Sequence, residues 1–123
     1  MMNTKDKNVL TLAYIGDAIY EVYIRKFLID QGISKVNSLQ KSAINYVSAK
    51  NQAKFVTILI NDNFFNDIEL EIIKRARNHK SRIPKNTDII TYKLSTGFES
   101  LLGDLYLNNN ERLYEILNLI EVK

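Results

Sequence analysis

Cysteine is absent from this chain of 123 residues, and histidine and proline occur once each, as His79 and Pro84. Without thiols there is no disulfide framework and no thiolate metal centre, so a metal ion would be held by oxygen or by His79. The same absence fits a reducing cytosol. No apolar run approaches the roughly 18 residues that cross a bilayer, and the opening Met1-Met2-Asn3-Thr4-Lys5-Asp6-Lys7 lacks the apolar core of a signal peptide. A soluble, cytoplasmic protein with no membrane partner is expected. Alternating strand patterns, internal repeats and low-complexity tracts are missing too, which leaves no basis for a sheet.

What is there reads as helix almost throughout, and the fold class expected is all-α. The length and a 46% hydrophobic content fit a single domain spanning 1–123 with a compact core. Leu12, Ile15, Ile19, Val22 and Phe27 recur at helical spacing from about Val9 to Ile29, and Gly32 ends that helix. A short helix begins near Asn37 or Ser38. A third, with Ser48 as candidate N-cap, runs through Ala53, Val56, Leu59 and Ile60 until Asn61-Asp62-Asn63 breaks it. Asn66 and Glu69 have capping-box spacing, with Phe65 and Leu70 as a hydrophobic staple, and predict a helix ending near Asn78. After a loop from His79 to Asn86, Thr87 or Asp88 opens the most apolar helix, burying Ile90, Leu94, Phe98, Leu101, Leu102 and Leu105. Asn108-Asn109-Asn110 separates it from a closing helix built on Leu113, Ile116, Leu117 and Ile120.

Net charge is only +3, yet its distribution is uneven. Lys74, Arg75, Arg77, Lys80, Arg82 and Lys85 fall in one stretch with no acid, and with those six set aside the chain carries 11 basic against 14 acidic residues. Such a strip is either a solvated helix end and loop or a phosphate-binding surface, because Lys and Arg attract a polyanion without reading its sequence.

Two acids stand out against apolar helical surroundings: Asp17 in Tyr14-Ile15-Gly16-Asp17-Ala18 and Glu99 in Phe98-Glu99-Ser100-Leu101-Leu102-Gly103. A buried carboxylate costs several kcal/mol unless a cation, a metal or donors meet it. Two such groups could share one divalent ion. Magnesium suits the purpose, since it takes hard oxygen ligands and keeps several waters beside one or two carboxylates. The competing reading is a helix-interior acid paired with Lys or Arg. Glu21 shares a face with Asp17 and has Arg25 four residues on, so an ion pair or a solvated partner is the favoured reading there. Asp104 is read as a surface residue, and His79 as a phosphate contact or as having no role.

Four stretches carry a family likeness, in order along the chain: Leu12-Ala13-Tyr14-Ile15-Gly16-Asp17-Ala18-Ile19-Tyr20-Glu21; Tyr46-Val47-Ser48-Ala49-Lys50; Lys74-Arg75-Ala76-Arg77-Asn78-His79-Lys80-Ser81 joined to Lys85-Asn86-Thr87-Asp88; and Thr96-Gly97-Phe98-Glu99-Ser100-Leu101-Leu102-Gly103-Asp104-Leu105-Tyr106-Leu107. Together they resemble Mini-ribonuclease III, the ribonuclease III catalytic domain standing without a double-stranded-RNA-binding domain.

The resemblance implies the helical ribonuclease III endonuclease fold and a homodimer that cuts double-stranded RNA with Mg²⁺. It implies 5′-phosphate and 3′-hydroxyl products, a role in maturing the ends of large-subunit ribosomal RNA precursors, and a possible ribosomal-protein partner. By motif, Asp17 and Glu99 are the catalytic and metal-binding acids. Lys74, Arg75, Arg77, Asn78, Lys80, Arg82 and Lys85 are the RNA-contact candidates. Tyr14 takes the aromatic slot that plugs into the partner subunit, a buried core tyrosine being the alternative. Two further acids usual in longer ribonuclease III proteins are replaced by Ala13 and Thr96, which implies one ion held by the protein at each site and leaves open a second held mainly by substrate phosphate and water. The alternative function is a catalytically weak RNA-binding ribosome-assembly factor of the same fold; a helical dimerisation adaptor would leave the basic strip unexplained.

Overall fold

The computed structural model describes residues 8–79 and 88–120. Six helices follow one another within them: α1 (Val9–Asp30), α2 (Val36–Val47), α3 (Ala49–Asn61), α4 (Asp67–Arg77), α5 (Ile89–Asn108) and α6 (Asn110–Leu117), with no strand among the described residues. Helix α5 is the hub and packs against α1, α3, α4 and α6, while α2 lies against α1 and α3.

Most helix starts are held by the side chains the sequence offers. Asn8 accepts from the Leu10 amide at 2.7 Å, Ser48 from Asn51 at 3.3 Å, Asp88 from Thr91 at 3.1 Å and Asn109 from Arg112 at 3.2 Å. Each satisfies one of the amides that a helix start leaves unpaired. Asn66 and Glu69 form the expected capping box: Asn66 Oδ1 accepts from the Glu69 amide at 2.9 Å, and Glu69 Oε1 from the Asn66 amide at 3.0 Å. Helix α2 differs. It begins at Val36, before the predicted Asn37 or Ser38, and Lys35 supplies no side-chain cap.

The buried line of α1 steps by fours through Leu12, Gly16, Tyr20, Ile24 and Leu28. Val22 falls opposite Tyr20 and Ile24 on that wheel and is 63% exposed, not core-facing as its spacing predicted. Ile90 is likewise exposed, because the first turn of α5 lies outside the packed part, which begins at Ser95. Leu70 stays at the surface, while Phe65 enters the core and meets Phe64 edge to face at 5.8 Å between centroids. Ile120 is buried from the turn after α6 rather than from the helix itself.

One charged pair lies inside. Glu69, 3% exposed, receives Arg112 Nε at 2.7 Å and Nη2 at 2.8 Å; the same guanidinium donates to the Phe64 carbonyl at 2.8 Å and to Glu115 at 3.0 Å. It also lies over the Phe64 ring, 4.3 Å from its centroid. This two-pronged pairing joins α6 to the start of α4 and gives the buried Glu69 carboxylate a matching charge.

Helices α1 and α5 touch backbone to backbone. A Cβ on Gly16 would lie 1.8 Å from the Glu99 carbonyl oxygen, and one on Gly103 would lie 1.9 Å from that of Leu12. Ser100 Oγ tightens the crossing by donating to the Val9 carbonyl at 2.8 Å. At both glycines the opposing atom belongs to a helix backbone, so no rotamer change relieves the clash. Gly16→Ala and Gly103→Ala should each lower stability in urea by about 3 kcal/mol, the upper range of overpacking. Gly32→Ala, where φ is +94° and the surrounding space is open, should cost only the left-handed strain of ~1 kcal/mol. A Gly16→Ala protein as stable as the parent would refute the close crossing.

Candidate active site

The crossing at Gly16 brings together the two acids singled out in the sequence. Asp17 follows the glycine on α1, and Glu99 is the residue whose carbonyl the glycine meets on α5. Their carboxyl groups lie close enough for Asp17 to act on the ionisation of Glu99. Asp17 is exposed, whereas Glu99 is half-buried. Phe98, next to Glu99, forms T-shaped pairs with Tyr20 of α1 and with Phe55 of α3, each with centroids 5.6 Å apart.

This setting holds a proton on the site. Burial pushes the Glu99 carboxyl up to about 9, helped by the neighbouring Asp17 carboxyl and opposed by the amide of Gln52. The Tyr20 hydroxyl, which donates to the Tyr46 carbonyl at 2.9 Å, is also pushed up, by its burial first and then by Tyr46 and Glu99. Two carboxyls this close do not both ionise unless a cation joins them. With hard oxygens, one of them open to solvent, the pair fits a magnesium-like ion that keeps most of its waters. No cluster of three or more potential metal-ligating side chains occurs among the described residues. Ala13 and Thr96 are both buried and bring no charge to the pair.

The remaining candidates separate. Glu21 pairs with Arg25 at 3.4 Å, as its spacing suggested. Asp104 departs from the expectation of a surface residue: it is 7% exposed, and its Oδ1 accepts from Asn108 Nδ2 at 3.2 Å. The cause is the hub position of α5, which buries residues Ser95 to Phe98 and Ser100 to Leu105 around much of its circumference. Tyr14 is 82% exposed and therefore not a core tyrosine.

Lys74, Arg75 and Arg77 occupy the last turn of α4, opposite Asp67 and Glu69 in its first, an arrangement that the helix dipole itself favours. Lys74, Arg77 and the C-capping Asn78 are exposed and share a depression with Ile60, Leu70 and Ile73. Arg75 is half-buried, with Nε and Nη2 sealed from solvent and unpartnered, as is His79 Nδ1. Lys80, Arg82 and Lys85 lie outside the described residues.

One residue of the neighbourhood escaped the sequence reading. Gln52 on α3 is 1% exposed, and its Oε1 accepts from Ser95 Oγ on α5. A glutamine in register with Val56 and Leu59 on the core face of a helix was the available signal.

The comparisons agree with this geometry. The Ribonuclease III domain model matches residues 10–110, a span that takes in nearly all of both crossed helices. Mini-ribonuclease 3 from Enterococcus faecalis is 46% identical over 96% of this chain and 91% of its own length. The Mini-ribonuclease 3 proteins of Streptococcus pneumoniae and Staphylococcus aureus are 42% and 44% identical, over 90% and 92% of this chain and 88% and 86% of theirs. A crystal structure of protein FN1578 from Fusobacterium nucleatum superposes with a TM-score of 0.81 at 34% identity, covering 93% of this chain and 91% of that one. The chain belongs to the Mini-ribonuclease 3 family.

The protonated Glu99 generates a test in metal-free buffer. The folded protein holds that proton up to about pH 9, whereas an ordinary glutamate releases it near 4.5, so folding takes up a proton across the window between them. Stability should therefore fall as pH rises from 6 to 8, by at most about 1.4 kcal/mol per pH unit. Glu99→Gln should flatten this contribution. A wild-type slope matched by the variant would show that Glu99 is ionised in the free protein.

Proposed function

We propose that this ribonuclease is a Mg²⁺-dependent endonuclease of double-stranded RNA, acting as a homodimer in the maturation of large-subunit ribosomal RNA precursor ends. One observation carries the reading. Two acids from distant parts of the chain meet at a glycine crossing in a pair that holds a proton and has room, chemically, for a hard cation. Asp17 and Glu99 would hold the ion, and Glu99 would give up its proton as the ion enters. When bound, the ion supplies polarisation of the scissile phosphate and a water of lowered pKa. Asp17, exposed, would face the substrate, while the half-buried Glu99 would hold the ion from the protein side.

Lys74 and Arg77, with Arg75 and Asn78, would grip the RNA backbone, together with Lys80, Arg82 and Lys85. Duplex RNA is met through phosphates and 2′-hydroxyls on a shallow minor groove, so weak sequence preference is expected. An apolar stripe of Leu10, Tyr14, Ala18 and Val22 is exposed along α1 beside Asp17. A two-fold contact through that stripe would cover it and set one acid pair against each strand. Light scattering at micromolar concentration should return the dimer mass, and Tyr14→Ala should weaken the dimer by removing an aromatic anchor.

The deciding experiment is incubation of the purified protein with an end-labelled RNA duplex, with and without Mg²⁺. Cleavage should require the ion. Asp17→Asn and Glu99→Gln should each cut at least ~100-fold more slowly, because an ion worth several kcal/mol of charge stabilisation is lost. Their helical circular dichroism should be unchanged. Tight duplex binding with no cleavage at any Mg²⁺ concentration would instead favour an RNA-binding assembly factor.

Backbone binding has its own readout. Lys74→Ala with Arg77→Ala should reduce the slope of log affinity against log salt by about 0.9 for each phosphate no longer neutralised, taking the duplex-DNA figure. Unrelated duplexes should weaken by similar factors. An unchanged slope would place the RNA on another face.

A further inference from the structure

Gln52 is a polar side chain in a place where leucine or methionine would pack as well. It is 1% exposed and shares the inner face of α3 with Ala53, Val56 and Leu59. Its amide oxygen is engaged: Oε1 accepts from Ser95 Oγ, itself buried on α5. Its amide nitrogen is not. Nε2 is sealed from solvent and has no hydrogen-bond partner. A buried donor left without an acceptor weakens a fold, so the group is better understood as waiting for an acceptor than as packing material.

The acceptor is fixed by geometry. Ser95 and Glu99 are four residues apart on α5, hence neighbours on one side of that helix. An amide is planar, with oxygen and nitrogen splayed from one carbon. Anchoring the oxygen on Ser95 from the facing helix leaves the nitrogen free to serve the adjoining turn of α5, where Glu99 stands. The amide is close enough to favour the ionised form of the Glu99 carboxyl, although Nε2 has closed no hydrogen bond onto it.

We propose that Gln52 is a positioning residue for Glu99: held by Ser95, its amide N–H closes onto one oxygen of the Glu99 carboxylate when a divalent cation takes the other, fixing that carboxylate toward Asp17. The role rests on the reading of Asp17 and Glu99 as the metal pair. It belongs to the groups that orient a metal ligand without touching the metal, whose loss typically weakens metal binding by about 10- to 100-fold. A Ser95–Gln52–Glu99 relay would thus connect α3 to the site, although α3 contributes no acid to it.

The test is direct binding of Mn²⁺ to the RNA-free protein, followed by electron paramagnetic resonance, on wild type, Asp17→Asn, Gln52→Leu and Ser95→Ala. Melting temperature in chelator and the separate kcat and KM for a duplex complete the set. Gln52→Leu, close in volume, loses the orphan donor but also the acceptor of Ser95 Oγ, so it should stay folded with little net change in melting temperature and bind Mn²⁺ about 10- to 100-fold more weakly. The KM for RNA should be unchanged. Ser95→Ala removes only the anchor, and should weaken Mn²⁺ by a smaller factor; it decides the matter if Gln52→Leu does not fold. If Asp17→Asn loses Mn²⁺ while Gln52→Leu and Ser95→Ala keep wild-type affinity, the positioning role is overturned and the metal pair stands. If wild type binds no Mn²⁺, or Asp17→Asn binds it as tightly as wild type, the metal pair fails and the role of Gln52 with it.

Discussion

Where α1 and α5 cross, the Glu99 carbonyl occupies the space in which a side chain on Gly16 would begin, and the Leu12 carbonyl does the same opposite Gly103. The rest of the site depends on that contact. Helices separated by ordinary side chains stand about 8–10 Å apart, and removing a layer of Cβ atoms from the meeting point lets the two backbones come nearer. Because Asp17 is bonded to Gly16 and Glu99 supplies the touching carbonyl, a constraint on the backbone becomes a constraint on two carboxyl groups. Ser100 holding the Val9 carbonyl keeps the angle of that crossing from drifting.

Closeness then decides the electrostatics. Burial strips water from Glu99, and Asp17 adds a neighbouring negative charge. Both effects oppose ionisation, so the pair without a cation keeps a proton at neutral pH. Ala13 and Thr96, one turn from Asp17 and Glu99, add no charge. Had carboxylates stood there, the like-charge repulsion would have grown and with it the demand for a second ion. The pair is therefore matched to a small demand for positive charge.

How much was legible in the sequence follows from how local each signal is. Asn66 with Glu69, and Ser48 before α3, are patterns written within one helical turn, and the caps form as read. Asp17 and Glu99 were legible through the glycines near them, since small residues among apolar ones mark close approach. The misread positions depended on what lies across the interior. Val22 has helical spacing to its neighbours, but the buried line passes through Gly16 and Tyr20, and only the packing of α5 shows that. Asp104 looks like a surface acid until α5 proves to be the hub. Gln52 and Arg112 each find their partners 43 positions away, at Ser95 and Glu69, and no local pattern announces such a pair.

Arg112 has a further effect on how the molecule comes apart. Its guanidinium is shared among the carboxylate that caps α4, the Phe64 carbonyl just before that helix, and Glu115 on its own helix. Peeling α6 away would strand a buried carboxylate in the first turn of α4, so the two segments have a common free energy of local opening rather than separate ones. Amide hydrogens in the first turn of α4 and in α6 should then exchange as a single unit, so that the closing helix and the cap of α4 open together.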